Sequence, residues 1–133
     1  MIRGSCLCGS VRYEIRGALA RATNCHCSQC RKAHGAAFGT YARVNWVDFS
    51  LIAGEAEIGS YQSSPGVRRT FCKRCGSTLQ FIRESRPESF SLTLGTLDED
   101  PGIQPSVHIS LWAQRHRGFR LQTDCLSMTS ASR

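Results

Sequence analysis

Seven of the eight cysteines in this chain fall into three tight clusters, Cys6-x-Cys8, Cys25-x-Cys27-x-x-Cys30 and Cys72-x-x-Cys75, while Cys125 stands alone. Residues i and i+2 of an extended segment point to the same side, so a C-x-C pair can grip one ion. A C-x-x-C pair does the same across a turn, and these are ligand spacings of zinc sites. Seven thiolates divide as four plus three. Four close a tetrahedral structural site, whereas three leave a coordination position open for chemistry. The rival reading, a disulfide framework, needs an oxidising compartment. The opening Met-Ile-Arg-Gly-Ser-Cys lacks the apolar core of an export signal. No run approaches the roughly 18 apolar residues of a membrane span. The expectation is a cytoplasmic protein, without a membrane segment, whose clustered cysteines bind zinc.

The elements that must position these thiols read as short and β-rich. At 133 residues and 41% hydrophobic, the chain has the size and composition of one globular domain. Val11, Tyr13 and Ile15 alternate with Arg12, Glu14 and Arg16, the pattern of a half-buried strand. Phe38, Tyr41 and Val44 mark a second strand, after a stretch from Cys27 to His34 that reads as one helical turn. Asn45–Asp48 reads as a turn or short helix. Further strands are expected over 50–53, 56–61, 67–71, 78–82, 90–94 and 107–112. Many short strands divided by turn signals indicate an all-β sandwich or barrel. The Ser- and Thr-containing tail, 122–133, is expected to be flexible. Two clusters end in glycine, at Cys8-Gly9 and Cys75-Gly76, where positive φ lets the chain turn and aim amides at sulfur. Two such knuckles suggest one shared structural zinc. The 63 residues between Cys8 and Cys72 leave that pairing to the fold.

The formal charge of +7 suggests a nucleic-acid partner at first sight. Two zinc ions on seven thiolates remove three of those positive charges. Arg31 and Lys32 follow the second cluster, and Lys73 and Arg74 lie inside the third, where cations lower thiol pKa and help metal loading. The basic residues are otherwise scattered, and no aromatic RNA-binding signature appears.

The clusters and their flanks resemble one family. Gly4-Ser5-Cys6-Leu7-Cys8-Gly9-Ser10-Val11-Arg12-Tyr13, Cys25-His26-Cys27-Ser28-Gln29-Cys30-Arg31-Lys32-Ala33-His34-Gly35 and Phe71-Cys72-Lys73-Arg74-Cys75-Gly76-Ser77 are similar to the glutathione-dependent formaldehyde-activating enzymes. That family shares its domain with centromere protein V. Ser64-Pro65-Gly66, Gly95-Thr96-Leu97-Asp98, Pro105 and His108 extend the likeness. It implies a mainly β, β-tent fold of antiparallel sheets with a structural zinc, spanning residues 1–121. By that likeness Cys6, Cys8, Cys72 and Cys75 hold the structural zinc, and Cys25, Cys27 and Cys30 a second, catalytic zinc. The implied reaction is reversible addition of glutathione to formaldehyde, a carbon–sulfur lyase chemistry with a small thiol and aldehyde as partners. One departure is Phe119, with Trp112 earlier, where the family carries tryptophan near its C-terminal end.

A zinc on three thiolates is a weak Lewis acid, better suited to holding an incoming thiol as thiolate than to making hydroxide. A thiolate held beside an aldehyde is an oriented nucleophile. His26, between two ligands, is expected to point away from the metal. His34, four residues past Cys30, is a candidate fourth ligand or proton donor. His108 reads as a core histidine, and His116, in Arg115-His116-Arg117, as a solvated one. Arg31, Lys32, Arg68 and Arg69 are candidates for glutathione's carboxylates or for thiolate counter-charge. A non-catalytic zinc module and a nucleic-acid binder are the alternatives. The first has no need of the three additional cysteines.

Overall fold

A computed structural model describes residues 1–19 and 21–110. Cys125, Trp112, His116, Phe119 and the tail 122–133 lie outside the described residues. Ten strands form two sheets. The smaller contains β1 (Ile2–Ser5), β2 (Arg12–Ile15) and β5 (Phe49–Ala53), in the order β1-β2-β5. The larger contains β3 (Ala22–Cys25), β4 (Gly39–Asn45), β6 (Ile58–Ser64), β7 (Val67–Cys72), β8 (Thr78–Arg83), β9 (Ser89–Thr93) and β10 (Val107–Ile109). Its order is β10-β3-β4-β9-β8-β7-β6.

The alternation at Tyr13 and Ile15 does what it predicts. Both side chains are buried and meet Ala42 and Val44 of β4 and Phe90 and Leu92 of β9 in the main core. The small sheet therefore lies over one face of the large sheet. Neighbours in a strand point to opposite faces, so Tyr41 and Arg43 must project from the other side. Cross-strand pairs share a face, and the register carries that outer row onward through Arg43↔Ser91, Ser91↔Phe81 and Phe81↔Arg69. Tyr41 pairs with Thr23, and Gly39 with Cys25, so the second cysteine cluster begins on this outer face too.

The sheets are antiparallel as expected except at one pairing, where β10 runs parallel to β3. A parallel neighbour needs a long crossover, and the stretch from the end of β9 at Thr93 to Val107 supplies it. The stretch read as one turn is a seven-residue helix, α1 (Ser28–His34), closed by Gly35 in the left-handed conformation at φ 59°. Strands β1 and β3 went unpredicted because Gly4 and Asn24 are poor strand formers, held by pairing instead. The turn expected at 45–48 is a 3₁₀ turn at Trp46–Asp48.

Candidate functional site

The first cluster is assembled from two knuckles of like construction. After β1, the Cys6 amide donates to Val11 O (3.1 Å) and the Gly9 amide to Cys6 O (2.9 Å). After β7, the Cys72 amide donates to Ser77 O (2.9 Å) and the Gly76 amide to Cys72 O (2.8 Å). Gly9 and Gly76 take φ of 74° and 77°, which side chains rarely adopt. The Leu7 amide donates to Ser77 Oγ (2.9 Å) and ties one knuckle to the other. The four sulfurs of Cys6, Cys8, Cys72 and Cys75 lie within 4.8 Å of one another.

Those spacings fit a tetrahedral ion. Zn–S bonds of about 2.3 Å at tetrahedral angles set sulfurs about 3.8 Å apart. Cys6 and Cys8 are 3.6 Å apart, and Cys8 and Cys72 3.9 Å, far beyond a disulfide. Two of the four thiols are drawn toward thiolate, whereas, against the Ser10 hydrogen bonds, Cys6 and Cys75 shift Cys8 upward. Burial works against ionisation of Cys6, yet the Val11 amide and the Ser10 hydroxyl bring its thiol down to about 7. The Ser77 hydroxyl and amide hold Cys75 lower still, at about 5.

The second cluster sits where β3 runs into α1. Cys25 ends the strand, Cys27 caps the helix by accepting from the Cys30 amide (3.4 Å), and Cys30 lies in the first turn. Their sulfurs also lie within 4.8 Å of one another. Cys25 and Cys30 are buried and Cys27 half-buried, so the cluster has one approachable side. Hydrogen bonding from Cys25 outweighs burial and, with Tyr41, Cys27 and Arg69, holds Cys30 at about 4. The Cys30 thiolate and burial push Cys25 up in turn.

Of the two groups packed on Cys30, sequence reasoning named Arg69, for a substrate carboxylate or for thiolate counter-charge, and missed Tyr41. The Tyr41 hydroxyl donates to Cys30 Sγ at 3.6 Å. Arg69, only 7% exposed, brings Nη1 and Nη2 to 3.8 and 3.7 Å from the same sulfur, and Nη1 donates to Tyr41 Oη at 3.2 Å. Ser63 Oγ accepts from Arg69 Nε (3.1 Å), and the guanidinium lies 4.7 Å over the Phe81 ring. Arg69 is thus held by Cys30, Tyr41 and Ser63 together, the placement of a thiolate counter-charge. The signal available was strand period, which puts Tyr41 and Arg43 opposite the core residues Ala42 and Val44.

His34 is not among the clustered donors. Its Nε2 lies 2.8 Å from Tyr41 Oη. With the phenol proton on Cys30, that bond requires His34 to carry its proton on Nε2. Burial lowers the His34 pKa, in keeping with a neutral ring. His26 points away from the cluster as expected, with Nε2 2.7 Å from His108 Nδ1 and its ring 5.0 Å from Phe38. His108 is therefore part of the support of this cluster on edge strand β10, whose Ile109 carbonyl accepts from the His26 amide (3.0 Å). Lys32, Arg68, Lys73 and Arg74 are exposed, and Arg31 half-buried.

Two cavities lie beside residues that support the second cluster, His34 at one and Tyr41 at the other. One, about 430 Å³, is lined by His34, Phe38, Thr40 and, from the first cluster, Cys75 and Ser77. The other, about 660 Å³, opens on the outer face of the large sheet beside Tyr41 and Phe81. No helix among the described residues is long and apolar enough to cross a membrane.

The chain matches the sequence profile of the family described as "Glutathione-dependent formaldehyde-activating enzyme" over residues 1–115. An uncharacterised lyase of Schizosaccharomyces pombe is 30% identical over 78 residues, 59% of this chain and 55% of that protein. A protein of Aspergillus flavus, provisionally named a glutathione-dependent formaldehyde-activating enzyme, is 32% identical over 76 residues, 56% of this chain and 40% of that protein. The chain spans about half the length of these curated relatives, or less. A crystal structure of a Rhodobacter sphaeroides protein aligns with a TM-score of 0.64 at 27% identity, covering 80% of this chain and 97% of that one.

Proposed function

Because this chain belongs to the glutathione-dependent formaldehyde-activating enzyme family, we propose that it is a cytoplasmic carbon–sulfur lyase that reversibly adds a thiol to formaldehyde or a related small aldehyde. The observation that carries this reading is the second cluster: three convergent sulfurs, one of them half-buried, with a phenol and a guanidinium packed on the third. Cys6, Cys8, Cys72 and Cys75 would hold a structural zinc, and Cys25, Cys27 and Cys30 a catalytic one. Zinc in the second site would supply acidification and orientation of an incoming thiol. A reducing compartment keeps such thiols free.

The chain's own residues divide the remaining work. Arg69 offsets the net negative charge of a three-thiolate site. In the forward reaction the substrate sulfur bonds to the carbonyl carbon, the C=O pair moves onto oxygen, and that oxygen takes a proton. Tyr41 is placed to give it. Burial and the neighbouring Cys30 thiolate push the phenol pKa up, so Tyr41 keeps its proton at neutral pH. His34, bonded to the phenol and lining the 430 Å³ cavity, links Tyr41 to solvent for resupply. In reverse, the same groups take the proton back as the carbon–sulfur bond breaks.

The test is NMR exchange between glutathione and S-hydroxymethylglutathione with zinc-loaded protein, Cys27→Ser and Tyr41→Phe. Exchange above the uncatalysed background is expected, lost in folded Cys27→Ser. Tyr41→Phe should retain zinc and slow exchange about 10²-fold, the scale of a positioned acid. Exchange at background with the wild-type protein sinks the lyase reading and leaves a zinc-binding module.

A further inference from the structure

The 660 Å³ cavity on the outer face of the large sheet is within the size range of small-molecule sites. Arg21, Arg43, Arg83 and Arg86 line it, together with Ser89 and Ser91. No carboxylate is among its described lining residues. Register makes this a property of the face. Tyr41 and Arg43 share one side of β4, Phe81 and Arg83 one side of β8, and Ser91 joins them through its pairing with both Arg43 and Phe81. The Arg83 guanidinium lies 4.9 Å over the Phe81 ring, opposite in register to buried Arg69. Among the described residues the one ion pair is Arg3–Glu99, on another part of the surface. Residues 111–133 contain a single acidic side chain, Asp124, against four arginines. Fifteen of the seventeen cationic side chains in the whole sequence are arginine, whose planar fork suits carboxylate and phosphate.

This cavity reaches the second cluster only through two of its lining residues. Tyr41 lines it and donates to Cys30 Sγ, while Phe81 packs on Cys25, Cys30 and Tyr41. A ligand held here by its anionic end lies against the tyrosine and phenylalanine that pack on those sulfurs. We propose that the cavity binds the anionic part of the thiol substrate and selects thiols with two or more anionic groups and no ammonium, as in a phosphorylated or polycarboxylate thiol. Glutathione meets this only in part, since its two carboxylates come with an ammonium for which the described lining offers no carboxylate. The anion site stands on the arginine face alone, and its assignment to a thiol rests on the lyase reading above.

Calorimetry on the zinc-loaded full chain, with pyrophosphate as probe, tests the anion site without reference to turnover. One pyrophosphate per chain is expected, weakened by added salt. Arg43→Gln and Arg86→Gln should each weaken it about tenfold, the scale of one charged hydrogen bond, with zinc content unchanged. No saturable binding, equal binding by both variants, or binding only of a short DNA duplex would each overturn the site. Thiol selection is read by the exchange assay with glutathione and N-acetylglutathione, whose ammonium is removed. A lower KM for the acetylated thiol, raised again in Arg43→Gln, supports selection. Equal KM values, insensitive to Arg43→Gln, refute it while leaving the lyase intact. Pyrophosphate binding with no exchange of any thiol sinks the lyase reading and leaves the anion site.

Discussion

Arg69 shows what a single buried side chain does at the second cluster. Desolvating a guanidinium is unfavourable unless opposite charge and hydrogen bonds offset it. Here Cys30, Tyr41 and Ser63 supply them within 3.8 Å. Replacing Arg69 by leucine leaves the thiolate charge without a counter-ion. Arg69→Leu should therefore weaken zinc at Cys25, Cys27 and Cys30 by about 10–100-fold, as loss of an outer-shell partner does. The four-cysteine site should be unaffected. Competition against a chromophoric chelator, resolving one weak and one tight ion per chain, checks this, and two unchanged affinities would contradict it.

At the scale of elements, β4 of the large sheet serves two purposes because its faces alternate. Ala42 and Val44 build the core, while Tyr41 reaches the cluster and Arg43 the anion cavity. In the small sheet, β2 is anchored by Tyr13. Its hydroxyl donates to Thr96 O (3.1 Å) and lies 2.7 Å from Thr96 Oγ1, in the 3₁₀ turn Leu94–Thr96. Burial pushes this phenol up from 10.0 to about 12. The unfolded chain then releases the Tyr13 proton first as pH rises. The contribution is whole below pH 10 and is lost as pH rises through about 12, on the order of 2–3 kcal/mol. Urea midpoints between pH 9 and about 12 should fall more steeply in the wild type than in Tyr13→Phe. Parallel curves would show that Tyr13 does not carry the alkaline loss. The variant should be less stable by about 1 kcal/mol at neutral pH for the lost bonds.

Over the whole molecule, the two clusters differ in what they join. Cys6, Cys8, Cys72 and Cys75 bridge the small sheet to the end of β7, with 63 residues between Cys8 and Cys72. An ion there closes a long loop and links binding to folding. The second cluster spans only β3 and the start of α1, so the fold depends on it less. Cys72→Ser should lower the melting temperature by about 10 °C or more, each lost kcal/mol being worth several degrees at this size. Cys27→Ser should melt within a few degrees of wild type. A strong chelator should reproduce first the Cys27→Ser state and then, at longer times, the unfolding of Cys72→Ser. Equal melting of the two variants would overturn this division. The β-tent architecture, shared with the Rhodobacter sphaeroides protein at a TM-score of 0.64, is on this account a scaffold that the first site closes and the second uses.

Much of this was legible in the chain itself, because short-range spacing survives folding. Two residues apart in an extended knuckle, or three across a turn, cysteines converge wherever the segment lies. The glycines after Cys8 and Cys75 advertise the positive φ that the knuckles adopt. The alternation at Val11–Ile15 likewise foretold a half-buried strand, and three ordered clusters were enough to point to the family. Tertiary structure alone decided the rest. Cys8 meets Cys72, Arg69 meets Cys30 across 39 residues, and Tyr41 turns to the cluster instead of the core. The parallel edge strand β10 brings His108 to His26. Each of these depends on strand register and on which sheet face the core occupies. Those are set by hydrogen-bond ladders and packing between distant segments, so no local pattern of residues encodes them.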